Sequence, residues 1–229
     1  MDTLAHPKIA RILPQCFFAL MAVLVVCELF VWKMALLVLK PMLIPTLMLW
    51  YWLTSTKRNA IYLLALLFAL ASNVFLLSDE TKFLVYGIVS FMVYRILTIV
   101  LVVRLVQSIL WLPFIVATLP FLFIFSCLIN LTLTPEMPSF YPTIINGLLI
   151  AALAGIALSN YVLNDNKANS WLAISTLLFI VLVFLFMIQH YYLANMAFKP
   201  MSAILFAFAH YTFYRFVIES EKRKRSDDY

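Results

Sequence analysis

The chain has 229 residues, of which 66% are hydrophobic and 11% charged, with a formal net charge of +6 and a pI of about 9.3. Soluble domains carry roughly 25% charged residues and need polar side chains to cover their outside, so a soluble globular fold is excluded. The basic residues sit in short loops and a tail, with no continuous basic groove or nucleic-acid motif; no nucleic-acid partner is expected, and the pattern fits membrane topology signals.

A spanning helix needs about 20 predominantly apolar residues. Taken in chain order, hydropathy and polar punctuation predict eight spans, at 12–31, 34–53, 60–77, 83–103, 112–133, 140–163, 171–189 and 201–218. The first run follows Lys8 and Arg11 but is longer than the apolar core of a signal peptide and has no small-x-small cleavage site, so it reads as a span. Between the spans lie clusters such as Lys57-Arg58-Asn59, Pro135-Glu136-Met137-Pro138 and Asn164-Asp165-Asn166-Lys167. The expected fold class is all-α: one polytopic membrane helical bundle through residue 218, followed by a charged tail, 219–229.

Orientation follows from the basic residues. With the N-terminus inside, Lys8, Arg11, Lys57, Arg58, Arg104, Lys167, Arg215 and the run Lys222 to Arg225 fall on the cytoplasmic side, and only Lys33, Lys82 and Lys199 fall outside. That bias places both termini in the cytoplasm of a multi-pass protein, with the cell (inner) membrane as the expected location. Asp79, Glu80 and Glu136 fall outside.

Cys16, Cys27 and Cys127 all lie in apolar runs, and Cys16 and Cys27 are ~16 Å apart along one helix. They are too far apart to bridge and read as packing residues. No metal or cofactor motif is present, and none is expected. Only three glycines occur, which argues against the Gly-broken helices common in transporters. Gly147, Ala151, Gly155 and Ser159 form a small-residue ridge at four-residue spacing, expected to be a helix-packing face. Ala65, Ala69 and Asn73 make a similar stripe, expected to face protein, and Ala203, Ala207, His210 and Tyr214 share one face of the last span.

Polar groups inside spans are expensive, which makes them candidates for function. Lys40 lies ~10 Å below the outer end of its span and Arg95 ~18 Å deep in the fourth. No Asp or Glu falls at the depth of Arg95; Glu28 is placed instead for Lys33 or Lys40. Arg95 therefore has two open readings, a site for a ligand anion or packing glue held by carbonyls and Asn73. His210 is either a proton carrier or a satisfied core histidine. The candidate ligand-binding residues are Lys40, Asn73, Arg95 and His210; no catalytic residue is assigned.

From Lys40 to about Val102 the sequence resembles the lysoplasmalogenase-like family of membrane proteins, the YhhN type. The resemblance rests on Lys40-Pro41 opening an apolar stretch, on Ala71-Ser72-Asn73 in the third span, and on Gly87, Ser90-Phe91 and Arg95 in the fourth. It implies eight spans and hydrolysis of the vinyl ether bond of lysoplasmalogens. Three positions depart from the family pattern. Asn73 stands where the family has Asp, Arg95 where it has His, and Leu182-Val183 where it has Ser-Asp. Vinyl ether cleavage needs a general acid and a base to activate water, and neither Asn nor Val can fill those roles. The reading is a divergent relative handling a lysophospholipid-like ligand in an outer-half cavity lined by Lys40, Asn73 and Arg95. An active lysoplasmalogenase, a small transporter and a structural membrane subunit are the alternatives.

Overall fold

A computed structural model describes residues 7–227 apart from 79, 107, 108 and 194, with side chains from 12 to 224. Asp79 and the side chains of Lys8, Arg11 and Arg225, counted above for topology, lie outside the described residues. Eight α-helices make up the fold: α1 (Pro7–Leu29), α2 (Lys33–Thr54), α3 (Ala60–Phe75), α4 (Thr81–Leu105), α5 (Trp111–Thr132), α6 (Phe140–Leu163), α7 (Lys167–Met187) and α8 (Phe198–Asp227). A π-helical turn, Ile188–Tyr192, extends α7. No strand occurs among the described residues. The chain is an all-α multi-pass membrane bundle, and seven of its helices are long and apolar enough to cross a membrane.

The eighth, α3, is shorter than expected. Its 16 residues span ~24 Å, against a hydrocarbon core of about 30 Å. The Asn59 side chain caps it by accepting from the Ile61 N–H, and turns continue the chain past Phe75.

Sequence neighbours pair as antiparallel hairpins: α1 with α2, α3 with α4, α5 with α6, α7 with α8. Contacts of α4 with α6 and of α1 with α8 join these hairpins into one bundle. Large apolar side chains such as Trp111, Leu112, Val116 and Phe123 on α5 point outward. Such a surface suits lipid and not water.

The small-residue ridge on α6 is a packing face. A Cβ on Gly155 would collide with the Thr118 hydroxyl of α5, and one on Gly147 would sit 3.6 Å from the Phe125 ring. The α3 stripe differs in register from the expectation. Ala65, Ala69 and Ser72 are buried, and Ser72 Oγ donates to the Gly87 carbonyl at 2.8 Å; Asn73 is only partly buried. Ser72 takes the inward position because Gly87 lets the α4 backbone come close.

The segment expected as a tail is mostly helical. α8 runs 30 residues, ~45 Å, and passes beyond any plausible bilayer core. Glu219 supports the extension by pairing with Lys222 at 3.2 Å and Arg215 at 3.7 Å. Contacts to α2 and α4 hold it further, as described next.

Candidate functional site

Arg95, Phe179 and His210 stand fourteen, twelve and twelve residues into α4, α7 and α8, hence ~21, ~18 and ~18 Å from the helix starts. Since α7 runs antiparallel to the other two, this brings all three to one level near the middle of the bundle. Arg95 is fully buried. Its Cζ lies 4.7 Å from the Phe179 ring centre, 4.9 Å from Phe91 and 5.6 Å from Tyr94. His210 lies against two of these three rings, 4.9 Å from Phe179 and 5.5 Å from Tyr94, with Phe206 at 4.2 Å.

The rings and the hydrogen bonds give this cluster different balances. A desolvated cation–π contact contributes about 2 kcal/mol, so rings at these distances offset much of the cost of placing one cation in a span, about 3 kcal/mol. They do nothing for the N–H donors. Nε, Nη1 and Nη2 of Arg95 have no hydrogen-bond partner among the described residues, and the same holds for the hydroxyl of Tyr94 and Nε2 of His210. An unsatisfied buried polar group costs about 1–3 kcal/mol. Buried carbonyls and Asn73 do not hold Arg95, so the packing-glue reading loses the contacts it required.

The histidine has a defined direction. Its Nδ1 lies 2.9 Å from the Phe206 carbonyl oxygen. A carbonyl only accepts, so Nδ1 carries a proton, and in the neutral imidazole Nε2 then has a lone pair.

Lys40 and Asn73 do not join this cluster through any hydrogen bond, ion pair or ring contact among the described residues. Lys40 Nζ pairs with Glu28 Oε1 at 2.6 Å, beside a small separate core of Leu24, Cys27, Leu36 and Ala203. Arg95 and His210 are the two of the four candidates that the fold brings together.

A second polar cluster, unforeseen in the sequence, closes the end of the bundle that carries most of the loop Lys and Arg residues. Glu221 of α8 is 7% exposed. Its Oε1 accepts from the Tyr51 hydroxyl at 2.6 Å and its Oε2 from Ser55 Oγ at 2.7 Å. Tyr51 in turn accepts from the Asn59 N–H, and Ser55 from the Arg58 N–H, at 2.8 and 2.9 Å. These two backbone bonds hold the 55–59 turn, where Arg58 takes a left-handed backbone (φ 44°). Such a conformation costs about 1–2 kcal/mol for a non-glycine residue and persists where its surroundings fix it. Arg223 and Lys224 donate to the carbonyls of Leu105 and Arg104, where the exposed end of α4 carries negative partial charge. Glu221 went unnoticed because a charge run after the last span looks like a solvated tail; the tyrosine at 51 was the available signal, since a buried Tyr needs a partner for its hydroxyl.

The ring of Tyr62 packs edge-on against Tyr51 at 4.6 Å, and its buried hydroxyl is also without a partner among the described residues. Val183, standing where the resemblance places an Asp, is buried in the apolar core one turn beyond Phe179. Among the described residues no three His, Cys, Asp or Glu gather as metal ligands.

The YhhN family model matches residues 35–217, and the chain belongs to that family. No curated protein and no solved structure matches it.

Proposed function

We propose that this YhhN-family chain is a lysoplasmalogenase-like membrane protein that binds a lysophospholipid-like ligand at Arg95 and His210, with the vinyl ether hydrolase chemistry lost or altered. The observation that carries the reading is a fully buried guanidinium whose charge is boxed by rings while every one of its nitrogens lacks an acceptor among the described residues. A phosphate oxygen is the partner such donors suit, because a planar guanidinium can bind it through two parallel N–H bonds. Lys40 drops out of the site because Glu28 already neutralises it. The altered chemistry follows from Asn73 and Val183, which supply neither a carboxyl proton nor a base. The distribution of basic residues supports a cytoplasmic side for both termini.

The test is a melting series in a neutral detergent with and without added lysophospholipid, on the native chain and on Arg95→Leu. The native chain is expected to melt higher with lysolipid. Arg95→Leu is expected to keep or raise its lipid-free stability, because replacing buried ionic groups by packed apolar ones is often neutral or stabilising, and to lose the lipid response. A large stability loss in lipid-free Arg95→Leu would show the side chain to be structural and end this reading.

A further inference from the structure

The α5–α6 hairpin carries no Asp, Glu, Lys or Arg in either helix, and α5, which packs chiefly on α6, is the least buried of the seven long spans. Its exposed apolar side chains need only lipid. Ser126 and Asn130 do not fit that account. Both are exposed one turn apart on α5, six and two residues before its last, hence ~9 and ~3 Å from the helix end. Both open on a groove of about 260 Å³ between the two helices, lined also by Leu122, Ile129, Gly147 and Leu148. A cavity of about 150 Å³ accepts a benzene ring, so the groove has room for an aromatic side chain. Phe123, 70% exposed, stands beside it on the same helix.

An acyl chain could fill the groove but offers nothing to a hydroxyl or an amide, and the ester oxygens of a lipid only accept. Polar side chains facing out of a span are what holds one helix to another in lipid. Two copies of this chain share one orientation in the membrane, so a two-fold axis between them runs along the bilayer normal and sets each residue against its equivalent at the same depth. Such pairing repels wherever a span carries a charge, and these two helices carry none. It suits Asn130, whose amide has both donors and an acceptor. We propose that the α5–α6 groove is a dimerisation surface occupied by a second copy of this chain. Asn130 pairs with the partner subunit's Asn130 through reciprocal amide hydrogen bonds, and Phe123 of each copy enters the groove of the other.

Cys127 is exposed beside these residues, and Cys16 is exposed on α1, so the chain carries both a probe and a control. The experiment treats the full chain in dilute lipid vesicles with a short bis-maleimide. Cys16→Ser, which leaves Cys127 as the exposed thiol, should give a covalent dimer; Cys127→Ser, which leaves Cys16, should not. Native mass spectrometry of the unmodified chain released from lipid nanodiscs should show twice the 26.4 kDa of one chain. Asn130→Leu, a change at an exposed position, should weaken self-association in vesicles about three- to tenfold, the size of one interhelical hydrogen bond. Undiminished association of Asn130→Leu overturns the amide pairing. Cross-linking through Cys16 and not Cys127 puts the contact on α1 and overturns the surface. A monomer overturns the dimer, and a monomer carrying bound phospholipid assigns the groove to an acyl chain. None of these outcomes bears on Arg95, whose melting series tests the ligand reading separately.

Discussion

Glu221 and Arg95 are both buried charges, yet the bundle treats them in opposite ways. Each oxygen of Glu221 receives a hydroxyl, and each of those hydroxyls is itself fixed by a backbone N–H. The Arg95 guanidinium has aromatic neighbours and no hydrogen-bond partner among the described residues. The first is what a structural charge requires, since a partly satisfied polar network is worse than none. The second is what the proposed binding role of Arg95 requires. The contrast separates two jobs that sequence alone cannot separate, because burial makes both residues look equally costly.

This contrast can be broken by substitution, and the expected effects fall in a definite order. Glu221→Ala should be the most damaging. It strands the Tyr51 and Ser55 hydroxyls and loses two charge-assisted hydrogen bonds, a loss of about 3 kcal/mol read by thermal unfolding in detergent. A native-like melting point would mean that the clasp contributes nothing.

Lys40→Met should cost less, about 1–2 kcal/mol, because it leaves the buried Glu28 unpaired while Lys40 itself is one-third exposed. Rescue by Glu28→Gln in the same chain would confirm that the loss comes from the stranded carboxylate. Arg95→Leu should change lipid-free stability by less than about 1 kcal/mol in either direction, although Arg95 is the most deeply placed charge of the three. Equal losses at positions 95 and 221 would erase the distinction drawn above. Lys222→Ala should be the smallest, under about 0.5 kcal/mol, since its pair with Glu219 is solvent-exposed.

A separate measurement sharpens the catalytic side of the comparison. Purified protein incubated with lysoplasmalogen should release little or no aldehyde. Robust turnover that survives Asn73→Ala would place the chemistry on residues other than those named here.

Much of the architecture was legible before the fold. Apolar runs and basic loops marked the helices to within about five residues, because lipid permits so few alternatives to a closed helix; the exception is the end of α8, which runs nine residues past the expected span. Four-residue spacing of Gly147, Ala151, Gly155 and Ser159 marked the face on which α5 lies. The depth of Arg95 and the helix face of His210 were also readable, and so was Glu28 as a partner for Lys33 or Lys40, of which the fold pairs Lys40. Three things were not. Which of Ser72 and Asn73 turns inward depends on where Gly87 admits the neighbouring backbone, a fact of packing between two helices. That Phe179 of α7 stands between Arg95 and His210 depends on the assembly of three helices far apart in sequence. Glu221 belongs to a segment whose composition favours water, and only the hydroxyls waiting on α2 draw it inward.

The order of synthesis gives the Glu221 clasp a further meaning. Tyr51 and Glu221 are 170 positions apart, which at a translation rate of about 5–20 residues per second corresponds to roughly 10–35 seconds. Throughout that interval α1 to α7 can enter the membrane while the turn at 55–59 lacks its carboxylate. Arg95 meets a similar delay, since it is made roughly 80 residues before Phe179. A lone arginine in an otherwise apolar helix costs only about 3 kcal/mol to insert, so α4 can bear it until α7 arrives. The last helix thus brings both His210 and the bolt that fastens the bundle, and a nascent chain stopped short of α8 has α1 to α7 and neither of these.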